Sequence, residues 1–354
     1  MNKTINLRGR NIGHGYKPFI ITELSGNHQQ SYELALKMIE AAAEAGVDAI
    51  KLQTYTADSM TLDIAENEFL IQEQSSLWKG ESLHALYQKA ATPYEWHEGL
   101  FKRADDLGLL AFSSPFDEAA VDFLETLNVP CYKIASFENT DLSLIRKAAS
   151  TGKPLIISTG MASLIEIEET VSAAQEADCK DIVLLKCTSN YPAPPEDINL
   201  ATIPDLAKHF DCVTGLSDHT RGTEIAVASV ALGASVIEKH FVLDRTLGGV
   251  DAEFSLEPAE MKNLVDQSQC VFHALGKVNY GETPSDSQAK RYRRSVYVAA
   301  DISAGECLTT QNIRIIRPGL GLAPKYFDEL LGRKAKQFIA KGTPASWDLF
   351  THAD

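Results

Sequence analysis

The stretch VTGLSDHTRGTEIAVASVALGASVIEKHF, residues 213–241, reads as a single β–α–β unit. Two short runs rich in apolar and β-branched residues, VTGLSDH (213–219) and VIEKHF (236–241), flank a helical segment, TEIAVASVALG (223–233). Such runs suit strands buried on both faces, as in a parallel sheet. Each carries a histidine near its C-terminal end, His219 and His240. Two imidazoles at the mouths of neighbouring strands can share one divalent ion and leave its other positions open, which is a catalytic arrangement. A hydrogen-bonded core or surface histidine is the plainer reading of either residue alone.

Outward from this unit the same rhythm recurs. Strand-like runs appear at FIITELS (19–25), AIKLQTY (49–55), LAFSSPF (110–116), YKIAS (132–136), LIISTG (155–160) and IVLLKCTS (182–189), making eight with the two above. Helical patterns separate most of them: residues 31–45, 92–108, 117–127 and 162–177. In the first, Leu34, Met38, Ala41 and Ala42 form one stripe, and Gly46 stands where a C-cap belongs. Eight alternations over about 250 residues predict a TIM (β/α)8 barrel. A doubly wound open sheet is disfavoured, because no GxGxxG follows the first run.

The 354-residue chain is long enough for that barrel, over residues 1–279, a polar linker at 280–291 and a small β-rich domain at 292–354. A hydrophobic content of 44% and a charged content of 23% describe an ordinary globular protein. The net charge of −15 argues against nucleic acid or an anionic membrane as partner, but not against a small anionic substrate. Six cysteines without a CxxC indicate neither a zinc knot nor a disulfide framework. The longest apolar stretch, near Ile225–Ile237, is interrupted by glycine and too short to span a bilayer. The basic N-terminus has no apolar core behind it, so a cytoplasmic protein is expected. Residues 58–91 form an excursion after the second strand; a substrate wall and an uninvolved decoration are both consistent with it.

Polar residues at the C-terminal ends of barrel strands converge on one face. Here they are Glu23, Lys51, Gln53, Ser113, Ser114, Lys133, Ser136, Ser158, Thr159, Lys186, Ser189, His219, Lys239 and His240. A buried lysine is costly unless paired. Lys51, Lys133 and Lys186, each embedded in an apolar run beside hydroxyl residues, point to a phosphate or carboxylate site rather than to structural ion pairs. Glu23 reads equally as a general base, a metal ligand or a lysine's counter-ion. Asp218 is placed to orient His219, and Asp251 either meets a substrate hydroxyl or caps a turn.

The motifs TELSGNH (22–28), KLQTYT (51–56), SSPFD (113–117), YKIASFE (132–138), STGMA (158–162), LLKCTSNYPAP (184–194), GLSDHT (215–220), ALGASVIEKHF (231–241) and RPGLGL (317–322) together resemble the sialic acid synthase family. The resemblance runs from about residue 18 to 350 and includes a C-terminal module similar to the antifreeze-like (SAF) domain of those enzymes. KLQTYTADSMTL, the LW…LY…TPYEWH segment and FSSPFD are more similar to the pseudaminic acid branch than to N-acetylneuraminate synthases. The resemblance implies condensation of phosphoenolpyruvate with an N-acetylated 6-deoxy amino sugar, 2,4-diacetamido-2,4,6-trideoxy-L-altrose, with phosphate lost by C–O cleavage. It implies that Lys51, Ser114, Lys133, Ser136, Ser158, Ser189 and Ser217 hold phosphoenolpyruvate. Ser189 stands where N-acetylneuraminate synthases carry Asn. By the same resemblance His219 and His240 bind Mn²⁺ or a similar ion such as Mg²⁺ or Co²⁺, Glu23 is the acid/base, and Gln53, Tyr191 and Asp251 meet the sugar. Arg317 would reach the site from a partner subunit in a domain-swapped homodimer. N-acetylneuraminate or legionaminic acid synthesis, and a non-catalytic sugar-binding protein on the same fold, are the alternatives.

Overall fold

The computed structural model describes residues 3–72 and 78–351, so part of the 58–91 excursion lies outside the described residues. The chain divides into two compact units, Met1–Gly276 and Lys277–Asp354.

The first unit opens with an antiparallel hairpin, β1 (Thr4–Leu7) and β2 (Arg10–Gly13). Eight parallel strands then close into a barrel: β3 (Phe19–Glu23), β4 (Ala49–Thr54), β5 (Leu110–Pro115), β6 (Tyr132–Ile134), β7 (Leu155–Ser158), β8 (Ile182–Cys187), β9 (Val213–Asp218) and β10 (Val236–His240). These are the eight expected runs, and β10 pairs with β3 to complete the ring. Nearly every strand residue is buried, because helices cover the outside and side chains fill the inside. Register decides which polar ends meet. Glu23 stands level with Lys51 on one side and His240 on the other. Ser217 stands between Cys187 and Glu238, and Lys239 lies beside Asp218.

The helix Tyr32–Ala45 starts at Ser31, whose hydroxyl accepts from Leu34 N, and ends at Gly46 with φ +85°. Its buried stripe is Ala35, Met38, Ile39, Ala42 and Ala45; Leu34 and Ala41 flank that face instead of centring it. The β1–β2 hairpin was not anticipated, since two four-residue strands around Arg8–Gly9 carry almost no periodic signal. Its Ile5, Leu7 and Ile12 are buried in one cluster with Phe19, Val213 and Val236, the starts of three barrel strands, so the hairpin closes the N-terminal end of the barrel. The helices Leu142–Ala149 and Thr202–Phe210 were also missed.

In the second unit β11 (Ser295–Val298) pairs antiparallel with β12 (Ile313–Ile316), and isolated bridges tie in the rest. Val296, Val298, Ile302, Leu308, Ile313, Leu330 and Phe350 form its core. Arg317 follows β12 and is exposed. Among the described residues no helix is long and apolar enough to cross a membrane.

Candidate active site

At the C-terminal mouth of the barrel lies a cavity of about 500 Å³. Its floor is charged. The Lys51 ammonium bonds to the Glu23 carboxylate, lies 3.5 Å from Glu238 Oε1 and donates to Ser114 Oγ at 3.4 Å. Lys133 Nζ donates to Ser158 Oγ at 2.7 Å and to the Ile134 carbonyl at 3.0 Å, and lies 3.7 Å from Glu238 Oε1. Ser217 Oγ donates to the same Glu238 oxygen at 3.0 Å, while Glu238 Oε2 is buried without a hydrogen-bond partner. Burial works against charge on both lysines. For Lys51 the carboxylates of Glu23 and Glu238 outweigh burial and raise its pKa. For Lys133 burial wins and the pKa falls, with Glu238 compensating only in part and Lys51 repelling. The floor therefore holds an under-compensated cation among hydroxyl donors, a setting that favours an incoming anion.

Gln53 Nε2 donates to Glu23 Oε1 at 2.7 Å, and Ser189 Oγ donates to Ser136 Oγ at 2.8 Å. Both pairs line the cavity. His219 and His240 lie side by side, ring centroids 5.2 Å apart, with Tyr191 4.4 Å from the first and Phe254 5.0 Å from the second. His219 Nδ1 is held by the Thr188 carbonyl at 2.9 Å. Burial, and then the positive neighbours His219 and Lys51, hold His240 well below the usual histidine range, so it is neutral. Its Nδ1 is buried without a hydrogen-bond partner, 3.6 Å from Asp251 Oδ2. An orphaned imidazole nitrogen beside a second imidazole fits a divalent cation. Among the described residues no three His, Cys, Asp or Glu side chains close round one point, so two imidazoles would leave most positions to water or substrate. Asp251 is no turn carboxylate. It is buried on the cavity wall, takes a hydrogen bond from the Ser25 hydroxyl, and its N–H donates to Asn27 Oδ1 at 3.1 Å. Burial pushes its pKa up to about 6, with Ser25 working against the rise.

Three expectations need correction. Lys186 stands off the cavity; its Nζ donates to the Cys187 carbonyl at 2.7 Å and to Thr188 Oγ1 at 3.3 Å. Asp218 does not orient His219; it pairs with Lys239 at 2.7 Å and takes the Thr220 N–H and hydroxyl. Ser114 lies behind Lys51 and not on the cavity wall. Sequence reasoning passed over Glu238, an acid inside a buried strand run and so in principle visible. It also missed Glu138, whose carboxyl burial pushes up to about 7, and Cys187, whose Sγ lies 4.0 Å from His219 Nδ1. The apolar wall of the cavity, including Met60, Ile71, Trp78, Leu83, Tyr87 and Phe116, had no signal beyond the length of the excursion.

The NeuB family profile matches residues 38–280, and the SAF domain profile matches residues 293–351. The chain is 46% identical over 332 residues to the pseudaminic acid synthase of Helicobacter pylori, covering 94% of this chain and 97% of that one. It is 38% identical over 341 residues to the N,N'-diacetyllegionaminic acid synthase of Legionella pneumophila, covering 93% and 94%. Among solved structures, the N-acetylneuraminic acid synthetase of Leptospira borgpetersenii in complex with citrate superposes with a TM-score of 0.73 at 33% identity, over 82% of this chain and 95% of that one. A barrel with two lysines and two histidines at its mouth, matched by family over most of its length, is thereby placed: the chain belongs to the NeuB family and carries a C-terminal SAF domain.

Proposed function

We propose that the protein condenses phosphoenolpyruvate with 2,4-diacetamido-2,4,6-trideoxy-L-altrose, giving pseudaminic acid and phosphate. The observation that carries this reading is one cavity in which two buried ammonium groups, ringed by hydroxyls, lie beside two adjacent imidazoles, His219 and His240. The choice of sugar rests on 44–46% identity to pseudaminic acid synthases across 94% of the chain.

Lys51, Lys133, Ser136, Ser158, Ser189 and Ser217 would hold the phosphate and carboxylate, with Ser114 supporting Lys51. His219 and His240 would hold a divalent ion, Mn²⁺ or alternatively Mg²⁺ or Co²⁺, which when bound polarises the sugar's aldehyde as a Lewis acid. Gln53, Tyr191 and Asp251 orient the sugar. The enol electron pair of phosphoenolpyruvate then forms a bond from its carbon 3 to the aldehyde carbon, and the aldehyde oxygen takes a proton. Positive charge left on carbon 2 is captured by water, whose proton passes to Glu23. The bond from carbon 2 to the bridging oxygen breaks, its electron pair leaves with phosphate, and loss of the remaining hydroxyl proton yields the keto acid. Cytoplasm, where phosphoenolpyruvate is made, is the matching location.

The test is phosphate release from phosphoenolpyruvate with this sugar, with N-acetylmannosamine and with the legionaminic acid precursor side by side. The expected result is preference for the first, with bridging ¹⁸O recovered in phosphate. Label retained in the keto acid overturns the mechanism, and no release with any sugar overturns the synthase reading. A homodimer belongs to the same proposal, with Arg317 of the partner subunit completing the site. Mixing the strongly impaired Glu23→Gln with the impaired Arg317→Ala should then raise activity well above that of either alone; no gain on mixing rejects the shared site.

A further inference from the structure

The cavity has a second half that the chemistry above does not use. Besides the charged residues, Met60, Ile71, Trp78, Leu83 and Tyr87, all from the excursion after β4, line the cavity, and Phe116 after β5 joins them. None of the five belongs to either hydrophobic cluster of the barrel. Met60, Ile71, Leu83 and Tyr87 are only half-buried, so their apolar surface faces the cavity and is not spent on the core. The wall is nonetheless built. Tyr55 stacks edge-on against Tyr87 and Phe116, at centroid distances of 5.9 and 5.1 Å. Trp78 Nε1 donates to the Val250 carbonyl at 3.0 Å, which ties the excursion to the residue preceding Asp251.

A polyhydroxylated sugar would leave hydroxyls unpaired against such a wall, and each unpaired polar group costs free energy on burial. A sugar with a methyl group in place of a hydroxymethyl, and with a second acetamido methyl, would cover the wall with apolar surface. We infer that Met60, Ile71, Leu83 and Tyr87 are specificity determinants that select sugars carrying a terminal methyl and an additional acetamido group over N-acetylhexosamines with free hydroxyls at those positions. The inference rests on the synthase reading, since it takes the sugar as the occupant of this half of the cavity. Its physical basis is separate, namely apolar side chains that the fold leaves uncovered at the site.

The experiment pairs turnover with binding. Wild type, Met60→Gln, Leu83→Gln and the conservative Met60→Leu are assayed with phosphoenolpyruvate and a divalent ion, using 2,4-diacetamido-2,4,6-trideoxy-L-altrose and N-acetylmannosamine. The open-chain alditols of both sugars are titrated into the same proteins by calorimetry. One apolar group in a pocket is worth roughly 10–200-fold in discrimination. Each glutamine variant should therefore lose about 10-fold or more of the kcat/KM preference for the deoxy sugar, and of the alditol preference. KM for phosphoenolpyruvate should be unmoved and Met60→Leu close to wild type. Turnover with the preference unchanged within about twofold in both glutamine variants overturns the wall as a selector. A wild type that binds the deoxy alditol selectively but releases no phosphate overturns the synthase reading and supports the wall. Binding of neither alditol overturns both.

Discussion

Two buried lysine–carboxylate groups sit a few residues apart at the same end of the barrel and behave as opposites. Lys239 and Asp218 are fully enclosed and bonded to one another and to their own loop: Lys239 Nζ donates to Asp218 Oδ2 and the Thr220 carbonyl, and Asp218 takes the Thr220 N–H and hydroxyl, with no polar atom of either left orphaned. Lys51, Lys133, Glu23 and Glu238 are as deeply buried but face the cavity, share one carboxylate oxygen between two ammonium groups, and leave Glu238 Oε2 unpartnered. A saturated pair holds the fold together. An unsaturated one has spare valence and field to offer a ligand.

Breaking each group should separate the two roles. Lys239→Met strands a buried carboxylate and is expected to cost about 3–5 kcal/mol of stability, with KM for phosphoenolpyruvate unchanged in the protein that remains folded. Adding Asp218→Asn should recover part of the loss, as read from urea midpoints. Lys51→Met should instead reduce kcat/KM for phosphoenolpyruvate by roughly 10²–10³-fold, with a smaller loss of stability. If Lys239→Met damages the KM and Lys51→Met does not, the comparison is reversed. Within the cavity group, Glu23→Gln is expected to retain phosphoenolpyruvate binding and turn over about 100-fold more slowly; near-normal turnover would reduce Glu23 to a counter-ion for Lys51.

The histidines divide in the same manner, and pH sharpens the contrast. His28 and His97 lie behind the strands, His28 bonded to Thr92 and His97 to Thr54 and the Pro93 carbonyl. Burial is the main cause that lowers both to about 4, so both are neutral in the fold. Between pH 6.5 and 4 the unfolded chain takes up protons there that the folded chain does not. Stability from each therefore falls as pH drops through that window, by about 2 kcal/mol at pH 5. Glu138, at about 7, and Asp251, at about 6, act in the other direction, because the folded chain protonates them first and gains stability on acidification. His97→Asn should flatten the acid loss and Glu138→Gln should steepen it, as measured by urea midpoints from pH 7 to pH 5; the same slope in all three proteins rejects both assignments. The smallest expected effect is at Ser25. This residue holds a φ of +47° and donates its hydroxyl to Asp251. Ser25→Ala should raise KM for the sugar about 5-fold and leave KM for phosphoenolpyruvate alone, the scale of one hydrogen bond acting indirectly through Asp251.

Most of the barrel was legible because buried parallel strands leave continuous apolar runs, and all eight were read. The hairpin at residues 4–13 and the two-turn helices at 142–149 and 202–210 were not, since elements that short carry little periodicity. At the site, Glu23, Lys51, Lys133 and the two histidines were visible as polar residues misplaced in apolar runs. Lys186 and Asp218 matched that pattern equally well and belong elsewhere. Glu238, in the same VIEKH run as His240, was open to the same reasoning and went unread. Of the apolar wall, only the 58–91 excursion was legible, as a candidate substrate wall; its individual residues could not be singled out, because Met60, Ile71 and Leu83 are ordinary residues until the chain brings them to the barrel mouth.

The amino-acid sequence by itself determined the eightfold β/α repeat, and with it the rim on which the strand-end residues must gather, because the alternation of burial is local to each segment. Only the tertiary structure decided which buried charges are saturated and which remain available. That depends on register between strands far apart in the chain, where Glu23 meets both Lys51 and His240, and on side chains of the excursion that line the same cavity.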